Sequence, residues 1–133
     1  MTDEMHQIGE VATQVGLSLR TIRHYEEVDL APPSGRTSGG FRLYTDDDIE
    51  RLHLVKDLKP LGFTLEEMRQ VLNLRARLTQ VDPHSDEAED IRDLLAGFAV
   101  LADERCDELR AQLRTGEAMA DLLRREARPR STT

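Results

Sequence analysis

The chain has 133 residues, enough for one domain or for a small domain with an appendage. Its longest mostly apolar stretch, residues 94–102, is about half of the roughly 20 residues that a membrane-spanning helix needs. The acidic N-terminus lacks the basic and apolar pattern of a signal peptide, so we expect a cytoplasmic protein with no membrane partner. The single cysteine excludes an internal disulfide framework and a metal site built only from cysteines of one chain.

The charge balance at first argues against a nucleic-acid partner. The chain has 26 acidic and 18 basic residues, a net charge of −8, whereas affinity for phosphate comes from Lys and Arg. Net charge is an average, however, and an uneven distribution along the chain would remove this objection. A third of the residues are charged, 4% are aromatic and none is Trp, which is typical of long charged helices. We therefore expect a mainly helical protein that buries part of its apolar surface against a partner.

The first two helical segments predict a helix-turn-helix arrangement. Residues 8–15 carry apolar side chains at helical spacing, and Gly16 is a suitable end for that helix. Ser18 can cap a second helix, residues 18–27, whose outer face is polar. Two short helices joined by a tight glycine turn fit a DNA-binding unit, and they fit an ordinary two-helix corner equally well.

A hairpin and two more helices are predicted next. Residues 31–44 contain two prolines, three glycines and two serines, so we expect a β-hairpin that turns at residues 39–40. Thr45 and the three acids after it predict the start of a third helix, which residues 59–62 end. A capping box at residues 64–67 predicts the start of a fourth helix.

The C-terminal part predicts one long helix. We expect an N-terminal domain at residues 1–78, a linker at 79–90, a coiled-coil helix at 91–126 and a disordered tail at 127–133. Alone, the helix would expose a large apolar stripe, so we expect it to form a homodimer; folding back onto its own domain is the alternative. The expected dimerisation residues are Ile91, Leu94, Leu95, Phe98, Leu101, Leu109, Met119, Leu122 and Leu123.

The charges are distributed unevenly along the chain. Residues 81–133 carry 13 acids against 8 basic residues, whereas the second helix up to Tyr25 and the hairpin contain no acid. The ionised residues of these two basic segments are Arg20, Arg23, Arg36 and Arg42. Such a layout is the expected footprint of a recognition helix and a wing, and the alternative is that the four are ordinary surface arginines.

Seven short motifs occur in a fixed order between about residues 5 and 75. They are Ile8-Gly-Glu-Val-Ala12, Gly16-Leu-Ser18, Thr21-Ile-Arg-His-Tyr-Glu26, Leu30, Pro32-Pro33, Gly40-Phe-Arg-Leu-Tyr-Thr45 and Leu61-Gly-Phe-Thr-Leu-Glu-Glu67. Together they resemble the MerR family of bacterial transcriptional regulators, and the long C-terminal helix is similar to the dimerisation element of that family.

The resemblance implies a mainly α-helical fold: a winged helix-turn-helix DNA-binding domain with a small two-stranded wing, and an antiparallel coiled coil between two copies. Such homodimers bind a palindromic promoter site in double-stranded DNA, and they bend and untwist its spacer for RNA polymerase. Phe41 stands where many members have Tyr, which removes a phenolic contact with phosphate. The DNA contacts that the resemblance implies are Ser18, Arg20, Arg23, His24, Tyr25, Arg36, Phe41, Arg42 and Lys59.

Other candidate sites are weaker. Metal sensors of that family use two or three cysteines, so Cys106 alone predicts no metal and no cofactor; it is either a small helix residue or a redox thiol. We expect the residues around His84 to be a solvated loop and residues 46–48 to be a helix N-terminus. Because only residues 127–133 follow the coil, we expect no further sensing domain.

The sequence offers no catalytic constellation, so we expect no enzyme. The leading hypothesis is a sequence-specific regulator whose operator, effector and direction of regulation the sequence leaves open. The alternative function is a non-catalytic interaction module that keeps the winged fold and the coil and acts through a protein partner. The net charge of −8 is what supports that alternative.

Overall fold

The computed structural model describes residues 4–130, and the chain divides into two compact units, Met1–Leu95 and Ala96–Thr133. In chain order the elements are β1 (His6–Gln7), α1 (Ile8–Val15), α2 (Leu19–Glu27), β2 (Gly35–Arg36), β3 (Arg42–Tyr44), α3 (Asp46–Leu58), α4 (Leu65–Leu78) and α5 (Asp86–Ala127). A 3-10 turn at Lys59–Leu61 separates α3 from α4. The long C-terminal helix α5 begins in the first unit and continues into the second.

The predicted helix-turn-helix is confirmed, and local sequence signals explain its turn. Gly16 adopts a left-handed conformation with φ of 76°, and its N–H donates to the carbonyl of Ala12 at the end of α1. The Ser18 hydroxyl accepts a hydrogen bond from the backbone N–H of Thr21 at 3.1 Å, which caps α2. The positive φ requires glycine there, and a Cβ added at this position would also displace Nζ of Lys56, which would lie 2.8 Å away.

The predicted wing hairpin is present as β2 and β3, and β1 adds a third strand to form an antiparallel sheet. The strand order is β1-β3-β2, with His6 opposite Tyr44 on one side of β3 and Arg36 opposite Arg42 on the other. β1 was missed because two residues are too few to show strand periodicity, and because it runs directly into α1. The sheet therefore joins His6 and Gln7 to the wing.

His6 on β1 is a buried polar residue held between two carboxylates. Its Nε2 lies 3.0 Å from Oδ1 of Asp46, and its Nδ1 lies 3.1 Å from Oε1 of Glu10. Burial alone lowers the pKa of His6, but the hydrogen bonds and charges of Asp46 and Glu10 outweigh it, so the pKa is raised above 6.5. The His6 ring therefore joins β1, α1 and the start of α3.

The core of the first unit lies where α1, α2, α3 and β3 meet. Helical spacing places one apolar stripe of each helix inward, as the periodicity predicts. Thr45 and Thr64 both form complete capping boxes, with Asp48 and Glu67 respectively, which confirms the predicted starts of α3 and α4. The largest fully buried side chains are Tyr44, Ile22, Leu30, Leu52, Val11, Val15 and Val55.

The long helix α5 begins earlier than the predicted residue 91. The Ser85 hydroxyl accepts from the backbone N–H of Ala88 at 3.1 Å, and acids in the first turn suit a helix N-terminus, so α5 starts at Asp86. Ile91 is 5% exposed and lies in the first unit. Its apolar surface is thus buried within a single chain, and its predicted role in the dimer stays a prediction.

In the second unit α5 continues to Ala127 and exposes much of its apolar surface. Phe98 and Leu101 are half-buried, and two exposed apolar residues were absent from the predicted dimerisation set, Val100 and Leu113. Of the predicted tail, residues 131–133 lie outside the described residues. Within residues 4–130, no helix is both long and apolar enough to cross a membrane. The exposed large apolar side chains of this unit are Val100, Leu109, Leu113, Met119, Leu122 and Leu123.

Candidate nucleic-acid interface

An open groove of about 690 Å³ runs along the outer face of α2. It brings together five of the nine predicted DNA contacts with two further polar residues. Its lining residues are Arg20, Thr21, Arg23, His24, Tyr25, Glu27 and Lys59. Cationic side chains from two separate parts of the chain thus face one open surface.

The helical period of α2 explains why these side chains point outward. Ile22 and Tyr25, three residues apart, are buried and fix the inner face of the helix. Arg20 and Arg23 therefore lie on the exposed side, and among residues 4–130 neither forms an ion pair. Their guanidinium groups can donate to groups outside the chain.

Lys59 reaches this surface through tertiary structure. It begins the 3-10 turn after α3, far along the chain from α2, and its exposed side chain lines the same groove as Arg20 and Arg23. Sequence similarity predicted Lys59 as a backbone contact, but only the packing of α3 against the helix-turn-helix puts it beside α2. The groove therefore has cations from α2 and from the 3-10 turn in its lining.

Tyr25 and Ser18, two of the predicted DNA contacts, also have structural roles. Tyr25 is 4% exposed, so its ring belongs to the core although the residue also lines the groove. The His24 ring is exposed and tilted against it, with centroids 5.9 Å apart. Ser18 caps α2 and also donates to Oγ1 of Thr21 at 2.9 Å. The DNA contacts that the resemblance implies for these residues stay predictions.

The two wing arginines are joined to α2 by one carboxylate. Arg36 donates to Oε1 of Glu26 at 2.5 Å, and Arg42 donates through Nε to Oε2 of the same residue. The hydrogen bond from Arg42 to Glu26 is the main reason why the pKa of Arg42 is raised. Sequence reasoning missed this contact, since Glu26 was part of a motif but had no assigned role. Its position one residue after the basic part of α2 was the available signal.

The tip of the wing presents an apolar side chain to solvent. Thr37 N donates to the Phe41 carbonyl at 2.8 Å, and Gly40, with φ of 86°, closes the turn by donating to the Thr37 carbonyl at 2.9 Å. Arg36 also donates to the Gly40 carbonyl at 3.2 Å. Phe41 is 65% exposed. The wing thus offers an aromatic tip backed by a hydrogen-bonded turn.

Three further basic side chains, on α3 and α4, donate hydrogen bonds to carbonyl groups at the ends of α1 and α2. Lys56 donates to the Val15 carbonyl at 2.7 Å, Arg69 to the Val28 carbonyl at 2.5 Å, and Arg51 to the Leu30 carbonyl at 3.0 Å. Burial lowers the pKa of Arg51. Sequence analysis assigned these three no role. These hydrogen bonds join the helix-turn-helix to α3 and α4, so the three side chains stabilise the fold.

The described residues provide no metal centre. No group of three His, Cys, Asp or Glu side chains between residues 4 and 130 is arranged to hold a metal ion. Cys106 is a free, half-buried cysteine. In the linker, His84 donates its backbone N–H to Oδ1 of Asp82 at 2.9 Å, which is a local turn contact.

Comparison with known proteins decides the family. The family model described as MerR HTH family regulatory protein matches residues 7–74, and the one described as MerR, DNA binding matches residues 49–125. The chain belongs to the MerR family. Members of this family are DNA-binding transcription factors and not enzymes.

Two curated relatives show the extent of this similarity to MerR-family proteins. The nodulation protein NolA of Bradyrhizobium sp. is 34% identical over 137 residues, which cover 96% of this chain and 56% of NolA. The HTH-type transcriptional regulator ZntR of Escherichia coli is 32% identical over 117 residues, which cover 88% of this chain and 79% of ZntR. This MerR-family chain thus spans little more than half of NolA and most of ZntR.

A solved structure supports the fold of this MerR-family chain. The chain is similar to HiNmlR, a MerR family regulator lacking the sensor domain, whose crystal structure was determined bound to promoter DNA. The TM-score is 0.67 at 23% identity, and the match covers 92% of each chain. At this identity the likeness concerns the fold: a winged helix-turn-helix followed by a long helix.

Proposed function

We propose that this chain is a sequence-specific transcriptional regulator that binds double-stranded promoter DNA as a homodimer. Each N-terminal unit places α2 in the major groove and the wing against the adjoining backbone. Two such units bind the two halves of a palindromic site. The observation that carries the proposal is the open groove beside α2, where Arg20, Arg23 and Lys59 face one surface.

The cations of this groove suit both parts of DNA recognition. Arg20 and Arg23 have the planar guanidinium that pairs with N7 and O6 of guanine, and they suit phosphates as well. Lys59, outside α2, supplies a point charge suited to a phosphate. Base contacts then specify the sequence while phosphate contacts set the position of the head. The acidic remainder of the chain weakens binding to DNA without the site.

The homodimer is proposed from the apolar side chains of α5. Leu109, Leu113 and Leu123 are exposed and recur at steps of four and ten residues, which keeps them on one helix face. Such a row of exposed leucines is costly in water and typical of a helix that is paired with another. By family resemblance the partner is a second copy in antiparallel orientation, so two heads lie at a fixed separation.

The proposed action is deformation of promoter DNA. By family resemblance, the dimer bends and untwists the spacer between misaligned promoter elements, so that RNA polymerase can use them. The protein acts in the cytoplasm, where this DNA lies. In this mechanism the deformation of DNA comes from contacts made by the protein's own residues.

Salt dependence of DNA binding tests the proposed function. DNA sites are selected from random duplexes with the wild-type protein, and the affinity for the best site is measured across salt concentrations. Each of two heads has three groove cations, so about six cations can neutralise phosphates. The logarithm of the binding constant should then fall with the logarithm of the salt concentration with a slope of about −5. A scrambled duplex of the same length and composition is the control.

Two results would contradict the proposed function. One is equal affinity for the selected and the scrambled duplex, since recognition of an operator requires a difference between them. The other is binding that does not respond to salt, since contacts with phosphates release counterions. Selection of no duplex at all would favour the interaction module instead.

A further inference from the structure

We infer that Glu26 is a positioning residue that holds the wing at the angle to α2 which DNA binding requires. The inference rests on the proposed function, because it concerns how the two DNA-facing elements of one head keep their geometry. It is carried by one juxtaposition: a single carboxylate in the last turn of α2 accepts hydrogen bonds from both wing arginines, Arg36 and Arg42.

β3 is held by its pairing with β1 and by the buried side chain of Tyr44, but the strands of the wing are short. β2 has two residues and β3 has three, which is shorter than strands that are stable by their own pairing. The segment between α2 and β2, residues 28–34, contains two prolines and has no regular secondary structure apart from its hydrogen bonds to neighbouring elements. A charge-assisted pair to each strand therefore adds a direct link between the wing and α2.

The location of Glu26 supports this role. An acid in the last turn of a helix is disfavoured by the helix dipole, so a carboxylate there needs nearby cations. The Glu26 side chain is 19% exposed, which reduces screening by solvent. Its two oxygens serve different strands, Oε1 accepting from Arg36 on β2 and Oε2 accepting from Arg42 on β3. Neither strand can then rotate about α2 by itself.

The contact also extends to the wing tip. Besides its bond to Glu26, Arg36 donates through its other terminal nitrogen to the Gly40 carbonyl at 3.2 Å. Glu26, Arg36 and Gly40 thus form a chain of hydrogen bonds from α2 to the turn that carries Phe41. Arg36 therefore links α2 to the wing tip, and the direct DNA contact that the resemblance implies for it stays a prediction.

The chain offers a matched control next to this residue. Glu27 is exposed, lies on the same helix, lines the groove and forms no ion pair among residues 4–130. Glu26→Gln and Glu27→Gln therefore remove the same charge at nearly the same distance from DNA, but only the first removes the anchor. Comparison of the two variants separates positioning from a general change in electrostatics.

Amide hydrogen exchange of the free protein tests the anchor without DNA. Glu26→Gln should raise exchange at the backbone N–H groups of Thr37 and Gly40 about tenfold or more, because they lie in the turn that the anchor holds. Exchange in α3 and α4 should stay as in the wild type, and Glu27→Gln should change neither. Unchanged exchange at Thr37 and Gly40 would overturn the inference whatever happens to DNA binding.

Binding to the selected site tests the consequence. Glu26→Gln should weaken specific affinity about tenfold, because the wing is no longer held against the DNA backbone. Hydroxyl-radical protection should disappear only at the backbone positions touched by the wing. Glu27→Gln removes an acid that lines the groove, so it should bind DNA at least as tightly as the wild type and keep the wing footprint.

Three results would overturn the positioning role. The first is that Glu26→Gln and Glu27→Gln behave alike. The second is that Glu26→Gln binds more tightly with a steeper slope, since Glu26 would then be withholding the wing arginines from phosphates. The third is that the wild type binds no DNA although exchange responds as expected, which would remove the proposed function as well. If Glu26→Gln does not fold, Glu26→Asp, which keeps the charge on a shorter side chain, is measured in the same way.

Discussion

The Lys56 ammonium group donates a hydrogen bond to the carbonyl of Val15 at 2.7 Å, and so joins α3 to the last turn of α1. A helix C-terminus carries carbonyl groups without partners in the helix and a partial negative charge, and a cation satisfies both. We expect Lys56→Met to lower the free energy of unfolding by about 1 kcal/mol, measured by urea denaturation. Lys59→Met is the matched control: it should keep stability and weaken DNA binding. Equal stability of Lys56→Met and the wild type would contradict this role.

The second prediction concerns pH and His6. Because its folded pKa is raised above the unfolded value near 6.5, its contribution to stability is complete below that pH and is lost as pH rises through the raised value. The free energy of unfolding should therefore fall as pH rises above about 6.5, and His6→Gln should flatten this dependence. His84→Gln, in the exposed linker, should retain it. Denaturation at a series of pH values measures the effect, and an unchanged slope in His6→Gln would refute it.

The third prediction concerns the buried hydroxyl of Tyr44. This side chain is fully buried, its hydroxyl has no hydrogen-bond partner among residues 4–130, and burial is the main cause that raises its pKa. Tyr44→Phe removes an unsatisfied polar atom without changing the ring, so it should stabilise the protein by about 1 kcal/mol. Thermal melting checks this. Tyr25→Phe is the control and should give no such gain; a loss of stability in Tyr44→Phe would show that the hydroxyl has a partner.

The fourth prediction concerns recognition by α2. Arg23→Ala should cost about 1–3 kcal/mol of specific binding, because the side chain is exposed on the groove and free to reach a base or a phosphate. Stability should not change, since Arg23 forms no ion pair within the described part of the chain. Arg114→Ala, on α5 and outside the interface, is a control with the same loss of charge. Equal losses of affinity in the two variants would mean that only net charge matters.

The fifth prediction concerns the dimer. Leu123 is exposed on α5, and Leu123→Asp should make the protein monomeric because a carboxylate would be buried in the proposed coiled coil. DNA affinity should fall with it, since a palindromic site needs two heads at fixed spacing. Ala118→Asp adds the same charge about 140° around the helix and should leave the dimer intact. Sedimentation of each variant gives the answer, and a monomeric wild type would contradict the architecture.

The helices of this protein could be predicted from the sequence because their signals are local. Ser18, Thr45 and Thr64 cap the helices that they were expected to cap, and Gly16 makes the expected left-handed turn. Caps and apolar spacing act within a few residues, so they depend little on the rest of the fold. β1 lacked any such signal, since two residues cannot show a period.

The candidate site depended on contacts between distant parts of the chain. Arg20 and Arg23 were visible as a basic stretch of α2, because two exposed positions three residues apart share a helix face. Only tertiary packing placed Lys59 beside them and turned Arg36 and Arg42 toward Glu26. The number of charged residues could be counted in the sequence. Pairing between charges depends on distance and burial, which the spacing of residues along the chain does not reveal.

The net charge of −8 and the uneven layout of arginines were determined by the sequence alone, and they already indicated two basic elements in an acidic chain. The folded structure decided how those arginines are used. Arg20 and Arg23 stay exposed because Ile22 and Tyr25 turn the opposite face of α2 into the core. Arg36 and Arg42 form ion pairs with Glu26. Ile91 is buried within the single chain. Burial and pairing are properties of three-dimensional proximity, so they appear only once the helices are packed.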